Sequence, residues 1–189
     1  MAGAMDERDR EQLINWVAAA ALAISDAVYD SLEASTRHDR SAAVALVALA
    51  DLAHAGSVQS LCSMLGLSHS GCVRIVDRLA RDGLVDRAPG ADGRTRSLVL
   101  TLEGRRLALR LRQARRDAVA ATLSDLSGEQ GNQLRAISRA IVTTSARDRL
   151  ERRRRGEPPS GGWLCRLCDA SACGRDIGQC PAANAADDP

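Results

Sequence analysis

The chain has 189 residues, with 26 basic and 24 acidic side chains, two Trp, one Tyr and no Phe. This length allows one domain of ordinary size and a small appendage, and the scarcity of aromatic residues favours helices packed through aliphatic side chains and alanine. The mixed charge of the first residues is not that of a secretory signal, and no segment approaches the ~20 uninterrupted apolar residues of a membrane span. We therefore expect a cytoplasmic protein with no membrane association.

The formal net charge of +2 conceals an uneven distribution of charge along the chain. Residues 1–56 carry four Arg against nine acidic residues, whereas residues 57–116 carry twelve Arg against five. Every basic residue is arginine, which favours forked contacts to phosphate and guanine, although codon bias in a GC-rich genome explains the same composition. The middle third is therefore the region in which to look for a polyanion site.

Two helices are predicted at the N-terminal end of the chain. From Asp6 to about Ser35, apolar residues recur at intervals of three and four and form one stripe of a long helix. That stripe consists of Leu13, Trp16, Val17, Ala20, Ile24, Ala27 and Val28. A second helix, at about residues 40–54, is apolar nearly all round, which predicts burial on several sides.

The basic region begins with the pattern of a helix-turn-helix. Ser57 has the position of an N-cap for a short helix that ends at Leu65, and Gly66 makes the break. Ser68 or Ser70 then caps a helix that runs to about Arg81, so that a short glycine-containing turn joins two helices. Two β-favouring runs follow, at residues 84–87 and 97–100, and a basic turn-forming segment separates them, which predicts a hairpin.

Two further helices and a linker complete the predicted elements. Thr101 caps a fifth helix to about Leu123, with Leu107, Leu111, Ala114 and Ala118 as its stripe. Ser127 and Gln130 form a capping-box pattern that opens a sixth helix, with Leu134, Ile137 and Ile141 on one face. Residues 151–162, ERRRRGEPPSGG, have a like-charge run followed by prolines and glycines and are interpreted as a linker.

The helix that begins near Ser68 has one face for a core and one for a ligand. Its inner side carries Cys72, Ile75, Val76 and Leu79, and its outer side carries Ser70, Val73, Arg74, Asp77 and Arg81. A helix in the major groove reads base edges with side chains near its N-terminus, which makes Arg74 the strongest single candidate. The alternative is a solvated face with ion pairs one turn apart, but the short helix before it and the basic hairpin after it favour DNA.

Residues 57–107, SVQSLCSMLGLSHSGCVRIVDRLARDGLVDRAPGADGRTRSLVLTLEGRRL, resemble the winged helix-turn-helix of the MarR family of bacterial transcription regulators. The flanking helices agree in order and length, so that the resemblance spans roughly residues 6–150. It implies a homodimer that intertwines its terminal helices, binds a near-palindromic operator and usually represses. It also implies a small aromatic or phenolic inducer, although no residue identifies one.

The resemblance assigns roles to individual residues. Ser68, Ser70 and Arg74 fall where the recognition helix of the family meets DNA, and Arg94 falls where the wing tip enters the minor groove, with Asp92 orienting it. Gly71 and Val73 stand where the family usually has hydroxylated residues. With their neighbours, the candidate DNA-contact residues are Ser68, His69, Ser70, Val73, Arg74, Arg78, Asp92, Arg94 and Arg96.

Four cysteines, Cys165, Cys168, Cys173 and Cys180, lie in residues 163–189, which we call the cysteine segment. In a chain with no export signal, four thiols in the spacing C-x2-C-x4-C-x6-C indicate a tetrahedral metal site. The segment has four large apolar residues, Trp163, Leu164, Leu167 and Ile177, and cannot fold alone without such a site. Zinc is the first choice, as a structural site or as a surface for a protein partner. An iron-sulfur cluster or redox-active thiols are the alternatives, and either would make the segment a sensor that controls DNA binding.

The predicted architecture is mostly α with a small β-hairpin wing. It comprises an N-terminal dimerisation helix (residues 1–36), a winged helix-turn-helix domain (37–104), C-terminal dimerisation helices (105–150), a linker (151–162) and the cysteine segment (163–189). Cys62 and Cys72 replace apolar residues of the helix-turn-helix and are predicted to be buried. No pattern places a nucleophile beside a base, so we expect no enzyme.

Overall fold

The computed structural model describes residues 5–51, 56–89, 96–157 and 161–185. The helices are α1 (Glu7–Ala34), α2 (Arg40–Asp51), α3 (Val58–Leu65), α4 (His69–Arg81), α5 (Leu102–Thr122), α6 (Gly128–Arg154) and α7 (Pro181–Asn184). Strands β1 (Val85–Pro89) and β2 (Arg96–Leu100) form one antiparallel hairpin with Val85 opposite Leu100. The mostly helical fold with a two-stranded wing is therefore confirmed.

The helix starts follow from capping side chains that the sequence predicted. The hydroxyls of Ser57, Ser68 and Thr101 accept hydrogen bonds from the third amide of α3, α4 and α5 respectively. Ser127 and Gln130 form the reciprocal pair of a capping box at the start of α6. Ser68, rather than Ser70, caps α4. Because each cap satisfies amides that have no partner within the helix, these elements start where local chemistry dictates.

The core surrounds α2, where every residue from Ala42 to Ala48 is buried. Helices α3, α4 and α5 pack around it through aliphatic side chains, and the inner face of the wing closes one end. These side chains include Leu61, Met64, Val76, Leu79, Leu98, Leu100, Leu107 and Leu111. The predicted burial of the second helix on several sides is confirmed, and among the described residues the buried core has no aromatic side chain.

Helices α1 and α6 leave much apolar surface uncovered in the single chain. In α1, Leu13, Trp16 and Val17 are 44–61% exposed, whereas Leu32 near its C-terminal end is fully buried. In α6, Ile137 and Ile141 are 56% and 52% exposed. These side chains belong to the two predicted apolar stripes. Within the single chain, a large part of each stripe is therefore not covered by another element.

Helix α1 is also long and apolar enough to cross a membrane by length and composition, with an 18-residue window of mean hydropathy 1.2. No such segment was expected from the sequence, because Ser25 and Asp26 interrupt the apolar run. A helix that packs within a protein core or between subunits passes the same test, so this property alone does not indicate a membrane span.

The charged end of α6 is helical further than predicted, through Arg154 instead of ending near residue 150. Arg152 Nε lies 3.2 Å from Asp148 Oδ2, and Arg155 Nη1 lies 3.8 Å from Glu151 Oε2, so that both pairs join residues one turn apart. Arginines in the last turn also interact favourably with the C-terminal end of the helix dipole. The linker that was assigned to residues 151–162 is therefore shorter.

The two buried cysteines of the helix-turn-helix supply a testable property. Burial and then a hydrogen bond with Cys62 raise the pKa of Cys72 from 9.0 to about 12. In the unfolded chain this thiol ionises near pH 9. Because its pKa is higher in the folded protein, its contribution to the free energy of unfolding is fully present below pH 9 and is lost as the pH rises toward 12.

We expect the urea midpoint of the metal-free protein to fall between pH 9 and 11 and to fall less steeply in Cys72→Ala. The chain has no lysine, so few other groups titrate in that window. Equal pH slopes for the two proteins would show that Cys72 does not carry the effect.

Candidate nucleic-acid interface

Helix α4 presents the predicted candidates on its exposed side. Ser68, His69, Ser70 and Arg74 are exposed at its N-terminal end, and Val73 is half-buried. The opposite side is buried in the core through Cys72, Ile75, Val76 and Leu79. The two-faced arrangement that the sequence predicted is therefore present, with small hydroxyls and one guanidinium on the solvent side.

The first turn of α4 is held by its own polar side chains. Ser68 Oγ accepts a hydrogen bond from the Gly71 amide at 3.3 Å and lies 3.4 Å from Ser70 Oγ. A Cβ at Gly71 would lie 3.2 Å from Ser68 Oγ, so the glycine leaves room for the capping hydroxyl. The small residues of this turn thus keep the helix end narrow, which suits close approach to a groove.

Arg78 has a structural partner that its sequence position did not reveal. Its guanidinium pairs with the carboxylate of Asp39, which also caps α2 by accepting from the Ala42 amide at 3.0 Å. Burial alone would raise the pKa of Asp39, but the Ala42 amide and Arg78 outweigh it, and the net shift lowers the pKa. Arg78 therefore fixes α4 against the start of α2, and its buried Nε has no hydrogen-bond partner within the described part of the chain.

The wing is tied to the recognition helix by a second ion pair, between Arg87 of β1 and Asp77 of α4. Arg96 lies exposed at the start of β2, opposite Pro89. The predicted wing-tip residues Asp92 and Arg94 lie outside the described residues. Sequence reasoning missed Asp39 and Arg87 as positioning residues, because a pair of opposite charges far apart in sequence leaves no local pattern.

The four cysteines of the cysteine segment are not arranged as a closed site. Residues Leu164–Leu167 form a 3-10 turn that brings Cys165 and Cys168 together, and the Cys168 amide donates to the Cys165 carbonyl at 2.9 Å. The Cys173 thiol donates to the Ala170 carbonyl at 3.5 Å, and Cys180 is buried at the start of α7. Within the described ranges, no three Cys, His or carboxylate side chains converge to hold a metal ion.

The pKa values of Cys165 and Cys168 nevertheless shift in opposite directions. A hydrogen bond from Cys168 lowers the pKa of Cys165 to about 6, against the effect of burial and with help from Arg175. The same hydrogen bond, together with burial, raises the pKa of Cys168 far above its usual range. Cys165 is thus the member of the pair that loses its proton more readily, and the thiolate is the form that binds metal.

A buried carboxylate anchors the cysteine segment to α5. Asp169 is 3% exposed and lies 3.5 Å from both Arg112 Nη1 and Arg116 Nη1. Hydrogen bonds from Ser171, and then the two arginines, lower the pKa of Asp169 although burial opposes them. Arg112 also pairs at 2.7 Å with Asp51 of α2, whose pKa is raised because burial outweighs that ion pair. No local pattern in the sequence predicts this network.

Comparison with known proteins supports the fold. Residues 38–95, which contain the helix-turn-helix and strand β1 of the wing, match the model of the MarR family. Comparison with curated proteins found no match. Among solved structures, a MarR family protein from Bacillus stearothermophilus is 23% identical, with a TM-score of 0.63, and the match covers 73% of this chain and 96% of that one.

Two further solved structures are similar over a comparable share of the chain. MarR from E. coli in its apo form is 18% identical, with a TM-score of 0.56, over 68% of this chain and 96% of that one. The Mycobacterium tuberculosis MarR family protein Rv2887, in complex with DNA, is 20% identical, with a TM-score of 0.55 and the same coverage. The chain therefore has the winged helix-turn-helix fold of the MarR family regulators.

Proposed function

We propose that this protein is a homodimeric, sequence-specific DNA-binding transcription regulator of the MarR type, acting in the cytoplasm as a repressor. The observation that carries the proposal is the exposed N-terminal face of α4, where Ser68, His69, Ser70 and Arg74 stand clear of the core. A recognition helix makes its base contacts with this end. The similarity in fold to a protein solved in complex with DNA supports the same assignment.

Dimerisation follows from the uncovered stripes of α1 and α6. Leu13, Ile14, Trp16, Val17 and Leu22 of α1, with Ile137 and Ile141 of α6, are each at least 44% exposed in the single chain. Monomeric proteins rarely leave so many large apolar side chains exposed to water along two long helices. A two-fold pairing would cover it and present two α4 helices to half-sites about 10–10.5 base pairs apart, or a multiple of that spacing.

Selection of binding sites from a randomised duplex library tests this function. The full-length protein is expected to enrich one near-palindromic sequence and to bind it, by fluorescence anisotropy, much more tightly than a scrambled duplex. Because arginines displace counterions from phosphates, log Kd should change linearly with log salt. A protein that is dimeric by light scattering but enriches no sequence would refute the proposal.

For the cysteine segment we propose a zinc site formed by Cys165, Cys168, Cys173 and Cys180. The Cys165–Cys168 pair, which one 3-10 turn brings together, is its starting point, and the metal would draw the other two thiols to the same ion. Zinc bound to four thiolates supplies folding energy and no redox chemistry. The segment has few large apolar residues of its own, so that energy is what it lacks.

Metal analysis of protein purified without oxygen distinguishes zinc from the alternatives. We expect a colourless protein with one zinc per chain and loss of that zinc in Cys168→Ser. A brown protein with visible absorption would indicate an iron-sulfur cluster instead. A metal-free protein with four reactive thiols would refute both metal assignments and leave thiol redox chemistry as the function of the segment.

A further inference from the structure

The turn of the helix-turn-helix is in backbone contact with the chain that leads into the cysteine segment. A Cβ at Gly66 would lie 2.4 Å from the Gly162 nitrogen and 2.5 Å from the Gly161 carbonyl carbon. A Cβ at Gly162 would lie 2.5 Å from the Met64 carbonyl oxygen. A side chain at either Gly66 or Gly162 would collide with the backbone opposite, so these two glycines form an interlock between the turn and the segment, whereas a Cβ at Gly161 would meet nothing within 4 Å.

The same contact completes the end of α3. The Trp163 amide donates to the Met64 carbonyl at 2.7 Å, and Arg149 of α6 donates to the Gly162 carbonyl. Met64 is in the last turn of α3, where carbonyls have no partner within the helix. The cysteine segment therefore caps the helix that precedes the recognition helix, immediately before the turn that sets the direction of α4.

The rest of the segment is fastened to the same domain. Trp163 and Leu167 are half-buried against the core around α2. Arg115 of α5 donates to the Leu167 carbonyl at 2.5 Å, and Arg166 donates to the Tyr29 hydroxyl at 3.3 Å. With the Asp169 ion pairs, these contacts join the segment to α1, α2, α3 and α5 at once. The DNA-facing residues Ser68, Ser70 and Arg74 stay exposed with the segment in place.

From this arrangement we infer that the cysteine segment sets DNA affinity through the turn of the helix-turn-helix: when the segment is folded and docked it holds α3 and α4 in the DNA-binding arrangement, and when it detaches, affinity falls. This inference rests on the proposed function and adds the route by which the segment regulates it. Coupling of this kind requires an element with two states that both sites bias, and the glycine interlock, docked or released, is that element.

Gly162→Ala in the full-length chain is the direct test, because the added methyl collides with the Met64 carbonyl and touches no cysteine. Gly131→Ala in α6 is the matched control, since a Cβ there meets nothing within 4 Å. The probe is the duplex that the wild-type protein selects from the randomised library. We expect Gly162→Ala to bind it at least about 5-fold more weakly, the lower end of typical coupling effects, while its bound zinc and its mass stay those of the wild type.

Asp169→Ala is a second, independent substitution, which removes the ion pairs that hold the segment to α5. It should also weaken DNA binding. Removing zinc with a chelator should weaken wild-type binding but have little further effect on Gly162→Ala, in which the route is already broken. If both variants bind the duplex within 2-fold of the wild type, the inference is overturned.

The outcomes separate this inference from the proposed function on which it rests. If the wild-type protein selects no duplex, the proposed DNA-binding function fails. If Gly162→Ala weakens binding but the wild type contains no metal, the coupling stands and the zinc assignment fails. If chelation weakens wild-type and Gly162→Ala protein by the same factor, metal acts on DNA binding by another route, and the inference is wrong.

Discussion

Gly104→Ala is expected to destabilise the protein by about 3 kcal/mol, at the upper end of the range for overpacking a core. Gly104 is buried in the first turn of α5, where a Cβ would lie 2.0 Å from the Leu84 carbonyl oxygen and 3.3 Å from Leu100 Cδ2. The Leu84 carbonyl accepts from the Thr101 amide at 3.1 Å, so it cannot retreat without breaking the junction between wing and helix.

Urea denaturation followed by circular dichroism measures this effect. Gly131→Ala is the control, because it adds a methyl to an exposed helical position with open space around it. That control is expected to stabilise α6 by roughly 0.5–1 kcal/mol. A Gly104→Ala midpoint equal to that of the wild type would mean that α5 and the wing do not pack as described.

Ile137→Asp combined with Ile141→Asp is expected to convert a dimer to a monomer and to weaken binding to the selected duplex by at least about 100-fold, since two linked half-site contacts become one. Both side chains are more than half exposed in the single chain and would be buried in a dimer that pairs α6 and α1. A carboxylate that cannot find a partner at such an interface costs several kcal/mol.

Light scattering after size exclusion gives the mass, and anisotropy gives the affinity. Ile177→Asp, at a position 70% exposed in the cysteine segment, is the control and should leave the mass unchanged. If the double variant is still a dimer, α6 is not part of the dimer interface. If the wild-type protein is a monomer, the proposed dimer is wrong.

The elements that the sequence predicted well are those whose ends are set by local chemistry. The caps at Ser57, Thr101 and Ser127, and the left-handed Gly66, depend on residues within three or four positions of one another. Patterns of that range can be read from the chain alone. The two faces of α4 were predictable for the same reason, because helical periodicity is local.

What the sequence did not predict depends on partners far apart in the chain. Asp39 and Arg78 are 39 positions apart, and Arg112 and Asp169 are 57 apart. A charged residue in a sequence looks the same whether it is solvated or paired, so the sequence marks Arg78 as a DNA candidate but does not reveal that it pairs with Asp39. Prediction of such pairs requires the packing of α2 against α4 and of the cysteine segment against α5.

The glycines before the cysteine segment show the same limit in another form. Gly161 and Gly162 follow a charged, proline-containing run, which is typical of a flexible linker. In the fold, Gly162 is buried against the end of α3, and the absence of a side chain serves close approach. Composition alone does not distinguish a glycine that makes a linker flexible from one that lets two backbone segments pack closely.

Equilibrium binding of Arg74→Ala to the selected duplex, beside wild type, tests most directly the claim that the exposed end of α4 reads DNA. Arg110→Ala, an exposed arginine of α5, controls for loss of one positive charge. The account predicts that Arg74→Ala binds about 5- to 150-fold more weakly, the effect of losing about 1–3 kcal/mol of base contact, with sequence preference relaxed at one position. Arg74→Ala protein that is folded and dimeric, and that binds the duplex as tightly and selectively as Arg110→Ala, would contradict it.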